Sequence, residues 1–121
     1  MIARYFEQFD KIISRVDFIS SLEIHKRKVN DFLGIIEGRI TIDGKILEIL
    51  EVIKITGQNL SVLKYKYHFR DPDDYLIFRY DNAPHHKEID TFPHHLHLPD
   101  KIVSSKKPTL SQILSTIYKG L

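Results

Sequence analysis

Residues 35 to 55 read IIEGRITIDGKILEILEVIKI, and this stretch decides the fold. Two isoleucine-rich runs flank Asp43-Gly44, a dipeptide that readily adopts the two positive φ angles of a type I′ hairpin turn. A two-residue loop fixes the register, which sets apolar residues opposite apolar residues and opposite charges across from each other. The stretch therefore predicts a β-hairpin of Ile35–Ile42 and Lys45–Ile55. The expected pairs are Ile42 with Lys45, Ile40 with Leu47, Arg39 with Glu48 and Ile35 with Val52.

A second hairpin is predicted from Leu60–Arg70 and Tyr75–Asp81, which flank the turn-forming residues Asp71-Pro72-Asp73-Asp74. Pairing Arg70 with Tyr75 places aromatic side chains on one face of the sheet and mainly charged side chains on the other. We expect the aromatic face to be core and the charged face to be open to solvent. The aromatic face pairs Phe69 with Leu76, Tyr67 with Phe78 and Tyr65 with Tyr80, and the charged face pairs His68, Lys66 and Lys64 with Ile77, Arg79 and Asp81.

The segments outside the hairpins predict two helices and an edge strand. Apolar residues recur at helical spacing from Ile2 to Ile19, and Leu22–Val29 is a short strand whose charged second half is typical of an exposed sheet edge. Thr109 and Gln112 form the capping-box pattern at the start of a second helix. The expected buried stripe of that helix is Leu110, Ile113, Leu114, Ile117 and Tyr118.

Residues 82–100 are rich in proline and predict an ordered loop, with one short strand around Leu96 to Val103. The predicted fold class is therefore α+β. We expect an antiparallel sheet of about five strands, built from two hairpins plus an edge strand and flanked by an N-terminal and a C-terminal helix. All of it is expected to lie in a single domain, residues 1–121.

The composition narrows the possible functions. The chain of 121 residues carries a formal charge of only +2, so a nucleic-acid site must be local. It has no cysteine, which excludes disulfides, zinc–thiolate sites and a cysteine nucleophile. No apolar run is long enough to cross a membrane, and the first residues lack the apolar core of a signal peptide. We expect a cytoplasmic protein with no membrane partner and no cofactor.

Histidines are concentrated in one segment. Five of the seven histidines lie between residues 85 and 97. Imidazole is a metal ligand, a general acid or base near neutral pH and a donor to phosphate, so three kinds of site compete for this segment. The clustered histidines are His85, His86, His94, His95 and His97.

An acid–base site uses these histidines together with charged residues of the second hairpin. We assign all five histidines, Arg79 and Asp81 as candidate catalytic residues, and Lys64, Lys66 and Asn82 as candidate substrate-binding residues. Cleavage of RNA without a metal needs a base for the 2′-hydroxyl, an acid for the leaving oxygen and a cation for the phosphate.

Two alternatives remain open. His95 and His97 share a face of an extended segment, so with Asp81, Asp90 or another histidine they would suit a divalent metal, although no zinc motif is matched. In the other alternative the histidines bind backbone carbonyls and stabilise the loop, and Lys64 with Asp81 is an ordinary cross-strand ion pair.

The segment from Tyr65 to His97 resembles the TumE family of toxins. The resemblance rests on Tyr65-Lys66-Tyr67-His68-Phe69-Arg70, on the run from Leu76 to His86, and on Thr91-Phe92-Pro93-His94-His95-Leu96-His97. It extends to the Asp-Gly hairpin and the last helix, covering roughly residues 33 to 121, and the first thirty residues add little. The family pattern matches at Arg79, Asp81, Asn82, His85, His86, His94, His95 and His97.

This resemblance implies a toxin of a toxin–antitoxin pair, held inactive by a cognate antitoxin that is commonly a helix-turn-helix DNA-binding protein. Our leading interpretation is a toxin acting as a metal-independent ribonuclease, with two loop histidines as acid and base and with Arg79 and Lys66 holding the phosphate. The alternatives are a non-catalytic module that binds protein or nucleic acid, and a His/Asp metal site. Besides the antitoxin, RNA is a candidate partner, a homodimer is an option, and strand Leu22–Val29 is a candidate site for strand addition by the antitoxin.

Overall fold

The computed structural model describes residues 1–121 and has the predicted α+β class, with one helix at each end of the chain and an antiparallel sheet between them. The sheet has seven strands rather than five, and each strand pairs with the next one along the chain. Neither helix is long and apolar enough to cross a membrane. The elements are α1 (Ile2–Ser14), β1 (Ile19–Asn30), β2 (Leu33–Ile42), β3 (Lys45–Thr56), β4 (Asn59–Arg70), β5 (Leu76–Asp81), β6 (His95–Leu98), β7 (Lys101–Ser104) and α2 (Leu110–Lys119).

The hairpin of β2 and β3 has the predicted register. Ile42 pairs with Lys45, and the register continues without a break to Leu33 and Lys54. Asp43 and Gly44 have φ angles of 51° and 74°, as a type I′ turn requires. All four predicted pairs are therefore confirmed.

The predicted register of the second hairpin is wrong by two residues. Phe69 pairs with Phe78 and Tyr67 with Tyr80, because the turn is longer than the four residues assigned to it. The Asp71 carboxylate accepts hydrogen bonds from the backbone N–H groups of Asp73 and Tyr75, both at 2.9 Å, so Tyr75 belongs to the turn. A shift of two residues keeps the aromatic residues on their predicted face, and the aromatic core face is confirmed. The prediction fails next to the turn, where a bulge pairs Leu76 with Arg70 and Ile77 packs against the core.

The two additional strands come from the proline-rich segment. The single strand predicted around Leu96 to Val103 is instead a hairpin of β6 and β7 that turns at Pro99 and Asp100. β6 pairs with β5, so the segment that was expected to be mostly loop returns to the sheet.

Both ends of the chain have the predicted elements, but some of these elements begin or end at other residues than predicted. α1 ends at Ser14, and β1 runs from Ile19 to Asn30 at an edge of the sheet, longer than the predicted Leu22–Val29. α2 begins with the predicted capping box, because Thr109 Oγ1 accepts from Gln112 N–H at 3.1 Å and Gln112 Oε1 accepts from Thr109 N–H at 2.9 Å. Tyr118 is 58% exposed, so its predicted burial is wrong.

Both helices pack on the same face of the sheet. Their buried residues, such as Phe9 and Ile113, join one apolar cluster with Ile40, Leu47 and Tyr67 from the strands. We call the opposite face the open face. The alternation along the strands places Glu48, Lys66, His68, Arg79 and His97 there.

Candidate active site

Backbone register brings the candidate residues together on the open face. In β5 and β6, Arg79 is paired with His97 and Asp81 with His95. On the other side of β5, His68 of β4 is paired with Arg79, and Lys66 with Asp81. Because paired residues of antiparallel strands share a face, three strands contribute side chains to one polar cluster.

Asp81 is the centre of this cluster and is only 3% exposed. Its Oδ1 accepts from Ala83 N–H at 3.0 Å and lies 2.9 Å from His95 Nε2. Its Oδ2 accepts from Arg79 Nε at 2.7 Å and lies 3.6 Å from His97 Nε2. Burial alone would raise the pKa of Asp81, but these hydrogen bonds and the charges of His95 and Arg79 outweigh it and hold the pKa below its ordinary value. The carboxylate is therefore ionised at neutral pH.

His95 is a buried link between the loop and Asp81. Its Nδ1 lies 2.8 Å from the Pro93 carbonyl oxygen, and its Nε2 faces Asp81 Oδ1. A carbonyl and an ionised carboxylate only accept hydrogen bonds, so both contacts are satisfied when each ring nitrogen carries a hydrogen. His95 therefore orients Asp81, and its side chain, which is 2% exposed, is closed to a substrate.

His97 and His86 are the accessible histidines of the cluster. Their side chains are 26% and 33% exposed, and their ring centroids lie 5.8 Å apart. Burial lowers the pKa of His97; Asp81 opposes this effect, and the positive charges of His95 and Arg79 add to it. His97 is therefore neutral near neutral pH and able to accept a proton. His86 has a φ of 61°, and its Nδ1 lies 3.4 Å from Glu88 Oε1.

Arg79 gives the cluster its capacity for an anion. Its Nε binds Asp81, which leaves the two terminal nitrogens of a side chain that is 38% exposed. A guanidinium anchored in this way presents its remaining N–H groups to a planar or tetrahedral anion. These N–H groups of Arg79 are therefore the part of the cluster that can bind an anionic ligand, whereas Lys66 lines a neighbouring pocket of the open face together with Glu48.

The structure separates the predicted site residues into two groups. One group converges and consists of Arg79, Asp81, His86, His95 and His97. Lys66 is the backbone partner of Asp81 on the neighbouring strand. The other four predicted residues lie away from this cluster. They are His85, His94, Asn82 and Lys64.

Three of these four have other surroundings. His94 stacks on Tyr65 of the core face and its Nδ1 lies 3.0 Å from the Tyr65 hydroxyl. Asn82 bridges β4, because its side chain accepts from Tyr65 N–H and donates to the Leu63 carbonyl, both at 3.0 Å. His85 is exposed in the loop.

Lys64 lies opposite Val52 rather than Asp81, so the expected Lys64–Asp81 ion pair is wrong. The two-residue shift of the second hairpin instead places Lys66 opposite Asp81. Lys64 is displaced along β4 by the same shift, which explains why it lies outside the cluster.

Sequence reasoning missed His68 as a member of the site. His68 pairs with Arg79, and burial lowers its pKa, with Glu48 opposing and Arg79 adding to this effect. Its position two residues from Lys66 on the charged face was the available signal.

Asp81, His95 and His97 also have the donor atoms of a metal site. One ligand atom from each lies within 4.8 Å of the others, and imidazole with carboxylate suits a divalent transition metal. A cation bound here would lie beside the Arg79 guanidinium, which already occupies Asp81 Oδ2. The positive charge of Arg79 therefore opposes the binding of a divalent cation at these atoms.

Fold and site together define a small α+β protein with a histidine-rich polar cluster on the open face of an antiparallel sheet. The chain belongs to the TumE family, because the family model described as toxin TumE matches residues 5–120. The match includes α1 and β1, so the expectation of a match starting near residue 33 was too narrow. Membership makes this protein a toxin of a toxin–antitoxin system with a cognate antitoxin. Comparisons with curated proteins and with solved structures found no match.

Proposed function

We propose that this toxin is a metal-independent ribonuclease whose catalytic centre is the cluster around Asp81. One observation carries the proposal. The buried Asp81 carboxylate binds Arg79 and His95 and lies 3.6 Å from His97, while Arg79, His97 and the neighbouring His86 stay accessible beside one another.

His97 is the proposed general base. It is neutral near neutral pH, and its Nε2 faces Asp81, so a proton on Nε2 leaves the lone pair on Nδ1. Nδ1 removes the proton of a ribose 2′-hydroxyl, and the 2′ oxygen attacks the adjacent phosphorus. The negative charge of Asp81 stabilises the imidazolium that results. A full hydrogen bond forms when Asp81 Oδ2 and His97 Nε2 move closer together by less than ~1 Å.

His86 is the proposed general acid. Its ring lies 5.8 Å from that of His97, so the two can reach different oxygens of one phosphodiester. The P–O5′ bond breaks as His86 donates a proton to the leaving oxygen, and the products are a 2′,3′-cyclic phosphate and a free 5′-hydroxyl. Water then regenerates the protonation states of both rings.

Arg79 and Lys66 hold the phosphate in this scheme. The terminal nitrogens of Arg79 stabilise the negative charge that grows on the non-bridging oxygens, and Lys66 adds a second positive charge from the neighbouring strand. Asp81 and His95 act through their neighbours as positioning residues.

The test is an RNA-cleavage assay on folded wild type and on His97→Ala, His86→Ala and Arg79→Ala. His85→Ala is the matched control, since His85 is an exposed histidine beside His86. We expect each of the first three changes to lower the cleavage rate by about 10²-fold or more, with the control unchanged, and activity to persist in EDTA. Folded wild type that binds but does not cleave RNA would exclude catalysis.

The metal-dependent hydrolase is the second candidate, favoured by the proximity of donor atoms from Asp81, His95 and His97. It predicts that EDTA abolishes cleavage and that Zn²⁺ or Mn²⁺ restores it. In that case His95→Ala would lower metal affinity directly.

The family resemblance supports further proposals about context. We infer that the cognate antitoxin is a helix-turn-helix DNA-binding protein, and that the toxin acts on RNA in the cytoplasm. The shared core of both helices and the sheet supports residues 1–121 acting as a single domain. Co-purification of the antitoxin, followed by a DNA-binding assay on the complex, tests the first of these inferences.

A further inference from the structure

The two edges of the sheet are very different. β7 has four residues, whereas β1 has twelve, and most of them are exposed. A long edge strand presents a row of unpaired backbone groups to any extended chain. β1 is therefore the larger surface for strand addition.

The register identifies the free backbone groups of β1. The Asp43-Gly44 turn makes Ile42 and Lys45 a hydrogen-bonded pair, so the even-numbered residues of β2 bond to β3 and the odd-numbered ones to β1. Thr41 pairs with Ser21, Arg39 with Glu23 and Glu37 with His25. The backbone groups of the alternate residues point outward. These are Leu22, Ile24, Lys26 and Lys28.

An apolar pocket of about 330 Å³ lies along the same edge, between β1 and α1. Phe9 and Ile13 line it from the helix, and Leu22 and Ile24 line it from the strand. Leu22 is 53% exposed. A strand added to β1 would place one apolar side chain over this pocket and shield Leu22 from water.

The charged side chains of β1 are the second feature of this edge, beside the apolar pocket. His25-Lys26-Arg27-Lys28 is a continuous basic run, with Lys26 and Arg27 on opposite faces of the strand. Lys26 Nζ already lies 2.5 Å from the Asp10 carboxylate and Lys28 Nζ lies 2.7 Å from Asp31 Oδ1, so Arg27 is the cation of this run that has no acidic partner. An acidic side chain opposite Arg27 would meet the opposite charge, whereas a second copy paired through this run would bring two basic runs together.

We propose that the β1 edge binds an extended segment of the cognate antitoxin, with an apolar residue facing α1 and an acidic residue opposite Arg27. The segment adds an eighth strand to the sheet. This inference rests on family membership and on the edge itself, not on the ribonuclease proposal. β1 and β5, the strand of Asp81, are four strand spacings apart, roughly 19 Å at about 4.8 Å each, so the added strand anchors the antitoxin away from Asp81.

Residue-resolved hydrogen exchange by NMR tests the proposal on the full toxin, alone and in complex with the protein encoded by the neighbouring gene. In the free toxin we expect rapid exchange at Leu22, Ile24, Lys26 and Lys28 and slow exchange at Glu23 and His25. In the complex the four outward amides should slow by at least about tenfold, which gives a uniformly protected strand. Unchanged exchange at these four amides would overturn the proposal, because contacts through side chains alone do not bond alternate amides. Protection that rises with toxin concentration alone would assign the edge to a second copy.

Charge reversal tests the chemistry of the partner. Arg27→Glu is compared with Lys101→Glu, which makes the same charge change at an exposed position on the opposite edge strand. We expect Arg27→Glu to weaken antitoxin binding about threefold to fivefold at low salt and Lys101→Glu to leave it unchanged. Equal effects of the two changes would contradict an acidic segment at β1.

Discussion

Two carboxylates, Glu51 and Asp81, lie almost completely buried on opposite faces of the same sheet. Glu51 is 1% exposed on the face that the helices cover, and Asp81 is 3% exposed on the open face. Glu51 accepts from the hydroxyl groups of Tyr5 at 2.5 Å and Tyr67 at 2.6 Å. Asp81 instead binds a guanidinium, an imidazole and one backbone N–H.

The partners explain why similar burial has different consequences. Burial, together with the negative charge of Glu51, raises the pKa of Tyr5 and Tyr67, so both stay neutral and keep their protons. The bond from Tyr5 attaches α1 to the sheet. Arg79 and His97 keep unused nitrogens at the surface. We therefore assign Glu51 to stability and Asp81 to function.

The largest expected effect is on cleavage. Asp81→Asn removes the charge that orients Arg79 and His97, so we expect a loss of about 10²-fold or more in cleavage rate. Glu51→Gln, the matched change on the other face, should leave cleavage per molecule of folded protein unchanged. Equal losses of cleavage rate in the two variants would show that Asp81 and Glu51 do not differ in their importance for cleavage.

The second prediction concerns stability. Glu51→Ala leaves two buried tyrosine hydroxyls without an acceptor and opens a small cavity, so we expect a loss of about 2 kcal/mol or more in the free energy of unfolding. Glu37→Ala, at an exposed glutamate of β2, should change it by less than about 0.5 kcal/mol. Urea unfolding followed by circular dichroism measures both, and a cost for Glu51→Ala no larger than that of the control would remove its structural role.

The comparison also shows what the sequence was able to predict. The Asp43-Gly44 turn specified its hairpin completely, since a two-residue loop has one register. The Asp71–Asp74 turn did not, because its length depends on the hydrogen bonds from Asp73 and Tyr75 to the Asp71 carboxylate. Local composition does not reveal how many residues such a carboxylate holds in a turn.

The site was predicted in the same partial way. Alternation placed His95 and His97 together, and this placement is correct because both lie in β6. Alternation could not assign His86, which reaches the cluster from a loop. Glu51 was missed although it interrupts the core-facing positions of an apolar strand, which is the usual signal of a buried acid with dedicated partners.

The third prediction separates the two faces by pH. His97 and Asp81 have lowered pKa values in the folded protein, so the unfolded chain binds their protons first as pH falls. His97 and Asp81 therefore contribute to the free energy of unfolding at higher pH. As pH falls, the contribution of His97 is lost below about pH 6.5 and that of Asp81 below about pH 4. Tyr5 and Tyr67 have raised pKa values, so their stability is present at lower pH and is lost as pH rises above about 10.

Unfolding midpoints measured across this pH range test the assignment. His97→Ala should reduce the loss between pH 7 and pH 5.5, and Tyr5→Phe should reduce the loss above pH 10. If His97→Ala left the loss of stability at acid pH unchanged, the assignment of that loss to His97 would be wrong. The same holds for Tyr5→Phe and the loss above pH 10. His68, whose pKa is also lowered, adds to the acid side, so His68→Ala is measured alongside.

The smallest effect is expected at His94, the direct neighbour of His95 in sequence. His94 stacks on Tyr65, and the Tyr65 hydroxyl lies 3.0 Å from His94 Nδ1. His94 therefore lies on the same face of the sheet as Glu51. We expect His94→Ala to cost about 1 kcal/mol of stability through the lost stacking and hydrogen bond. Cleavage per folded molecule should stay unchanged, because the side chain does not reach the open face. An RNA-cleavage assay normalised to the folded fraction would decide the point. A loss as large as that of His97→Ala would mean that the catalytic centre extends through the sheet, and the division between a structural and a functional carboxylate would then fail.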